Sequence, residues 1–230
     1  MYTTLSLDRL IKLMVWPFAL VIFGMLLWQG PPASAAEWLR LASSSIAGFA
    51  VSVLVLGGSS AQFAPWRLIW RAIPFLNDSM FPDLNGTWTG TTCSNWPLID
   101  AQRKAAMDGG GLTQTDIEQI GLQEDDITVR IRASFFKLQI SAELKRTGSK
   151  SYSLSQRVIR DERRDVFELS YVYRQQTPEP VLTDESAHLG AASLDFDRTD
   201  MRLCGCYWTT RSWRQGLNTA GRLDVLRVNT

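Results

Sequence analysis

Cysteine and histidine are scarce: 230 residues contain three cysteines and a single histidine. Cys93 stands alone, while Cys204 and Cys206 are two apart, which puts them on one face of a strand and not in a relaxed bridge. A disulfide framework is excluded, and a reducing compartment is favoured. A metal centre needs more ligands than these cysteines and His188 supply at such spacings, so no metal site is expected. One histidine leaves no Ser-His-Asp arrangement to argue. Gly109-Gly110-Gly111 reads as flexible punctuation, not as a loop that cradles phosphate ahead of a helix. Asp195 and Asp197 share a strand face, but LDFDRTD reads as a strand running into an Asp-rich turn. No catalytic residues and no cofactor are therefore expected, and the chain reads as a binding protein rather than an enzyme. An excess of one charge is also missing, with Lys+Arg 24 against Asp+Glu 23. That balance offers no whole-chain footprint for a DNA or RNA polymer.

What is present is a mosaic. Up to Ala64 the chain is strongly apolar, and from Phe81 it is polar, alternating and rich in Thr, Arg and Asp. Leu13 to Trp28 carries no charge and has the length of a bilayer span when Leu10 and Ile11 are added and Lys12 snorkels. Leu41 to Ala64 is a second uncharged stretch. It is interrupted by Ser43-Ser44-Ser45, Gly48, Ser52 and Gly57-Gly58, small residues that suit close helix packing and self-association. Ala33-Ser34-Ala35 between the two stretches fits a signal-peptidase site, but the second apolar stretch favours an uncut hairpin. Arg9 and Lys12 before it, with Arg67 and Arg71 after it, place both ends in the cytoplasm by the positive-inside rule. The expected organisation is a two-helix transmembrane hairpin over 1–64, a juxtamembrane linker over 65–80 and a cytosolic ligand-binding domain over 81–230. Trp66, Trp70, Arg67 and Arg71 suggest that the linker forms an interfacial helical turn.

The third region changes period. Asn85-Gly86 is turn chemistry before the strand 87–92, and Pro97 to Met107 is helix-compatible. Thr115-x-x-Glu118 has the pattern of a capping box. From Ile127 onward the apolar residues recur every second position, as in Ile127, Val129 and Ile131, and then Phe136, Leu138 and Ile140. Tyr152, Leu154 and Val158 continue the series, followed by Phe167, Leu169, Tyr171 and Tyr173. Runs over 188–196, 201–211 and 222–228 complete roughly eight strands with almost no helix. That pattern implies an all-β, antiparallel up-and-down barrel with room for its own side chains or one small ligand. In LCGCYWTTR, Leu203, Gly205, Tyr207, Thr209 and Arg211 share a face. A ring beside hydroxyl and guanidinium donors is what base stacking and phosphate binding require. Tyr171, Tyr173 and His188 join Tyr207, Thr209 and Arg211 as candidate ligand-binding residues. Gly86-x-Trp88 also matches the opening of lipid-binding barrels, so a membrane-tethered, lipocalin-like protein taking a lipid or small metabolite is the alternative. A filled barrel that binds only protein is a third reading.

Two apolar spans, then LNGTWTG at 84–90, LSYVY at 169–173, His188-Leu189-Gly190, LCGCYWTTR at 203–211 and a final Gly221-x-Leu223 strand follow in a recognisable order. This order resembles the membrane-anchored β-barrel effectors of bacterial CBASS anti-phage defence, the SMODS-associated type with two transmembrane helices and a β-strand-rich domain. Trp208 stands where those proteins often carry Phe, and the helical 97–111 stretch looks like an insertion. The resemblance implies a cyclic di- or oligonucleotide ligand made by a partner synthase, bound in the barrel. It implies oligomerisation, contact with membrane lipid, and disruption of the bacterial inner membrane in abortive infection.

Overall fold

The computed structural model describes residue 15 and residues 18–19, 21–28, 30–57, 65–79, 81–133, 137–181 and 183–228. The chain forms two compact units, one of Leu84–Ala133 with Leu138–Thr230 and one of Tyr2–Asp83 with Ser134–Lys137.

In the N-terminal unit, residues 21–28 are helical and helix α1 spans Ala35–Gly57. The two run side by side. The Ser45 hydroxyl reaches Met25 Sδ at 3.8 Å, and Phe18 meets Phe49 edge-on at 5.6 Å. Among the described residues no helix is long and apolar enough to cross a membrane. The helix that covers the second apolar stretch begins back at Ala35 and is described as far as Gly57. Arg9, Lys12, Trp16 and residues 58–64 lie outside the described residues.

Helix α2 (Pro65–Ala72) forms where the linker was expected to turn helical. Its tryptophans turn inward, while Leu68, Ile69 and Ile73 stay exposed. Trp66 and Trp70 are buried with Phe81, and the Trp70 Nε1 donates to the Phe81 carbonyl at 2.9 Å. The Trp pair recurs at i, i+4 and therefore shares one helix face, which the aromatic cluster takes up. Arg67 pairs with Asp83 at 2.8 Å, and the short helix α3 (Phe75–Ser79) follows Pro74.

The second unit is a closed barrel of eight strands: β1 (Gly86–Ser94), β2 (Gln123–Ala133), β3 (Leu138–Leu144), β4 (Lys150–Asp161), β5 (Val166–Gln176), β6 (Ala187–Asp197), β7 (Arg202–Thr209) and β8 (Ala220–Arg227). Each pairs antiparallel with the next, and β1 closes the ring against β8. The closure leaves no edge strand, although the β3–β4 seam pairs over only three positions, and beyond them the Ser153 hydroxyl and the Gln156 amide meet the Ile140 N–H and the Leu138 carbonyl.

One end of the barrel is filled. Trp88, Ile131, Leu138, Val158, Leu169, Leu194, Leu203 and Val225 are fully buried there. Trp88 meets Phe196 edge-on at 6.1 Å, and its Nε1 donates to the Leu84 carbonyl at 3.1 Å. Asn85 ties the start of β1 to the end of β2: its side chain donates to the Ala133 carbonyl and accepts from the Ala133 N–H, each at 2.7 Å.

Two local readings change. The capping box sits at Thr113 and Asp116, two residues before the expected one, and opens a helix over Gln114–Gln119. Asp116 accepts from both the Thr113 N–H at 2.9 Å and its hydroxyl at 2.6 Å, so the shorter carboxylate wins the cap. Tyr152 and Leu154 face outward, because a bulge between Ser153 and Ser155 inserts one residue into β4 and inverts the alternation. Before the bulge Ser151 and Ser153 point in; after it Gln156 and Val158 do. Phe136 lies outside the described residues.

Candidate functional site

The inward face of the strands is apolar at the filled end and polar at the other. Along β1 it runs Trp88, Gly90, Thr92, Ser94; along β5 it runs Phe167, Leu169, Tyr171, Tyr173, Gln175. On β2 the same change is met in reverse chain direction, from Ile131 and Ile127 to Asp125 and Gln123. The polar end carries the longer connections. Those between β1 and β2, including helix α4 (Trp96–Met107) and helix α5 (Gln114–Gln119), meet there with the β3–β4 turn, the β5–β6 loop and the β7–β8 connection. Between them lies a cavity of about 420 Å³.

All six candidate residues line it: Tyr171, Tyr173, His188, Tyr207, Thr209 and Arg211. Tyr171 and Tyr173 follow each other on the inward side of β5, with ring centroids 5.8 Å apart. Burial pushes both phenols above their ordinary pKa, so both remain neutral O–H groups at physiological pH. Tyr173 lies against Gly190 of β6, where any Cβ would run into the ring's Cζ and hydroxyl. Gly190 is thus the counterpart that lets the Tyr173 ring stand where it does. Gly205 has a different role from the one its place on the Tyr207 face suggests. A Cβ there would strike the Ser193 carbonyl of β6, so the glycine serves close strand approach rather than leaving pocket space.

Thr209 and Arg211 also divide their work. The Thr209 hydroxyl is engaged with Thr219, the residue just before β8: it accepts from the Thr219 N–H at 3.1 Å and lies 3.0 Å from the Thr219 hydroxyl. Arg211 stands beyond the end of β7. Its guanidinium lies over the Trp96 ring at 4.1 Å, donates to the Thr183 carbonyl at 3.2 Å and brings Nε to 2.9 Å from Asp184 Oδ1. That last contact is an ion pair without hydrogen-bond alignment, since the Nε–H has no hydrogen-bond acceptor. Stacking on Trp96 and low exposure of both partners make this charge pair less screened than a surface one. His188 opens β6 on the inward face and is buried, and its Nδ1 has no hydrogen-bond partner. Burial lowers its pKa, with a further lowering from Arg211 against the opposing pull of Asp184 and Glu185. The imidazole is neutral at pH 7.

Trp96, Asp125, Arg146 and Asp184 also line the cavity and were not expected from the sequence. Asp125 carried a usable signal: it lies on the Ile127–Val129–Ile131 register and so had to point inward. Trp96 and Asp184 come from irregular segments, where alternation gives no direction. Asp195 and Asp197 face outward and serve structure, Asp195 accepting from Arg164 at 2.5 Å and Asp197 from the Thr199 N–H at 2.8 Å. The three cysteines are free thiols, none of them buried.

Comparison with known proteins sets this barrel in a family. The family described as "Cap15, cyclic dinucleotide receptor domain" matches residues 108–227, just over half of the chain. The chain belongs to the Cap15 family. A relative from Escherichia albertii, "CD-NTase-associated protein 15", is 30% identical over 162 residues, which cover 69% of this chain and 70% of the relative. The Cap15 match takes in β2 to β8 and so all six candidate residues, together with Asp125, Arg146 and Asp184. Strand β1 and Trp96 precede it.

Proposed function

We propose that the chain is a cyclic-dinucleotide receptor and the effector of a CBASS anti-phage system, with the ligand held at the polar end of the barrel. The observation that carries this reading is the cavity wall. It sets three tyrosine rings beneath an arginine that is itself stacked on Trp96, in a barrel whose family is described by cyclic dinucleotide recognition. Aromatic faces accept bases of any identity, and guanidinium groups suit phosphodiesters. The ligand would be supplied by a nucleotidyltransferase partner, in keeping with the name of the Escherichia albertii relative.

Ligand binding would drive oligomerisation and disruption of the bacterial inner membrane, with the barrel on the cytoplasmic side. Support for the membrane step is the uncharged sequence over 13–28, together with the basic residues before it and after position 64. The lipocalin-like alternative fits the plugged floor at Trp88 but not the cavity wall. Thr92, Asp125, Ser149, Ser151 and Thr177 give a polar surface where a lipid would need an apolar one.

Titrating the full chain in detergent with a panel of cyclic di- and trinucleotides by calorimetry tests the reading. Saturable binding of at least one, lost in Tyr207→Ala, is expected. Silence across the panel, together with binding of a fatty acid or retinoid probe, would replace the receptor reading with the lipid one.

A further inference from the structure

We propose that Arg146 and Arg211 form a matched pair of phosphate clamps on opposite sides of the barrel mouth, each held by a carboxylate until a ligand phosphate displaces it. The inference rests on the ligand class proposed above and adds how that ligand is held. The ring order fixes the placement. Arg146 lies in the β3–β4 turn and Arg211 in the β7–β8 connection, and four strands separate these two gaps whichever way round the barrel one counts. Antiparallel alternation brings both connections to the same end. Two guanidinium groups therefore flank the cavity from opposite walls, and both line it.

Each arginine is engaged in the same unfinished way. Arg146 Nε lies 3.4 Å from Asp125 Oδ2, and Arg211 Nε lies 2.9 Å from Asp184 Oδ1. Asp125 holds its other oxygen on the Arg146 N–H at 3.1 Å, so that carboxylate is anchored to the turn. Yet Asp125 Oδ2 and Arg211 Nε are both buried without a hydrogen-bond partner. The charges are neutralised, but the directional bonds that a guanidinium can make to a planar or tetrahedral oxyanion remain open. A phosphodiester arriving from the cavity completes that geometry, and the carboxylate gives way.

The two clamps suit the shape of the ligand class. A cyclic dinucleotide carries two phosphodiesters on opposite sides of one ring, with the bases projecting away from it. Two guanidiniums facing one another across a mouth, with aromatic rings below, present the complementary arrangement. The clamps are unequal. The Arg211 side chain is 14% exposed and stacked, while that of Arg146 is 54% exposed. Arg211 acts in a less screened setting and has the larger effect.

The test is calorimetric titration of the full chain and of Arg146→Ala, Arg146→Gln, Arg211→Ala and Asp184→Asn, using whichever cyclic dinucleotide of the panel binds the unsubstituted protein most tightly. Arg146→Ala and Arg146→Gln are each expected to weaken binding about tenfold, and Arg211→Ala by more than that. Asp184→Asn is expected to tighten it several-fold, because the competitor for Arg211 is removed. Thermal midpoints of the free proteins separate misfolding from lost contacts, and Arg146→Gln serves if Arg146→Ala fails to fold. Unchanged affinity in both Arg146 variants, with loss in Arg211→Ala, overturns the paired clamp and leaves the receptor reading standing. Absence of binding by the unsubstituted protein overturns both.

Discussion

Gly190 is the position at which strand packing and the cavity meet, and replacing it with alanine makes a sharp test. A Cβ at 190 would overlap three atoms of the Tyr173 ring and hydroxyl across the β5–β6 ladder. Backbone conformation at Gly190 is not in the left-handed region, so the added methyl meets no strain of its own. Tyr173 is buried between neighbouring strands and cannot retreat outward, so its ring must tilt into the cavity. Overpacking of this kind costs about 1–3 kcal/mol. The lost backbone freedom of glycine in the unfolded chain gives back about 0.4–1 kcal/mol. Taken mid-range, the net expectation is a destabilisation of about 1.3 kcal/mol, together with weaker ligand binding as the ring enters the cavity. The sign should reverse in a Tyr173→Leu background. Leucine lacks the Cζ, Cε2 and hydroxyl that the Cβ would strike, so Gly190→Ala should then stabilise by about 0.4–1 kcal/mol. Urea unfolding of the four proteins in the double-mutant cycle measures the coupling. A Gly190→Ala chain as stable as the parent, or one equally destabilised in both backgrounds, refutes the packing argument.

Three further outcomes follow from the barrel. Trp88→Phe removes the Nε1 hydrogen bond to the Leu84 carbonyl at the filled end, and a fall of about 1–3 kcal/mol in unfolding free energy is expected by chemical denaturation. Asn85→Ala deprives the Ala133 N–H and carbonyl of their partner in a buried setting, and should cost about 2–4 kcal/mol by the same measurement. His188 is kept neutral by burial, with its folded pKa below the ordinary 6.5. The unfolded chain therefore takes up the proton first as pH falls, and the contribution of His188, present in full above the unfolded pKa, is lost as pH drops toward the folded one. The urea midpoint should fall as the pH is lowered through about 6.5, and less steeply in His188→Gln.

The strands were legible because one face of each is buried. Val129 between Thr128 and Arg130, or Leu169 between Glu168 and Ser170, marks an inward register that water and the core enforce together. The same rule placed Tyr171, Tyr173, His188, Tyr207 and Thr209 on one interior. It failed at Tyr152 and Leu154, where a bulge inserted one residue and inverted the phase. Alternation did not say why position 205 is a glycine, which is decided by the Ser193 carbonyl of the neighbouring strand β6. In the first helices, hydropathy alone suggested two spans; among the described residues no helix is long and apolar enough to cross a membrane, and residues 58–64 of the second apolar run lie outside them.

By itself the sequence determined the period of each element, the inward face of most strands and the polarity gradient that leaves one end of the barrel wet. These are local properties, set by side chains two residues apart on a pleated backbone. Which connections meet at the wet end, that Trp96 lies under Arg211, and that Arg146 and Arg211 face one another were decided only by ring closure. Closure joins β1 to β8 across the length of the domain, and no short-range pattern encodes the position of one turn relative to another four strands away.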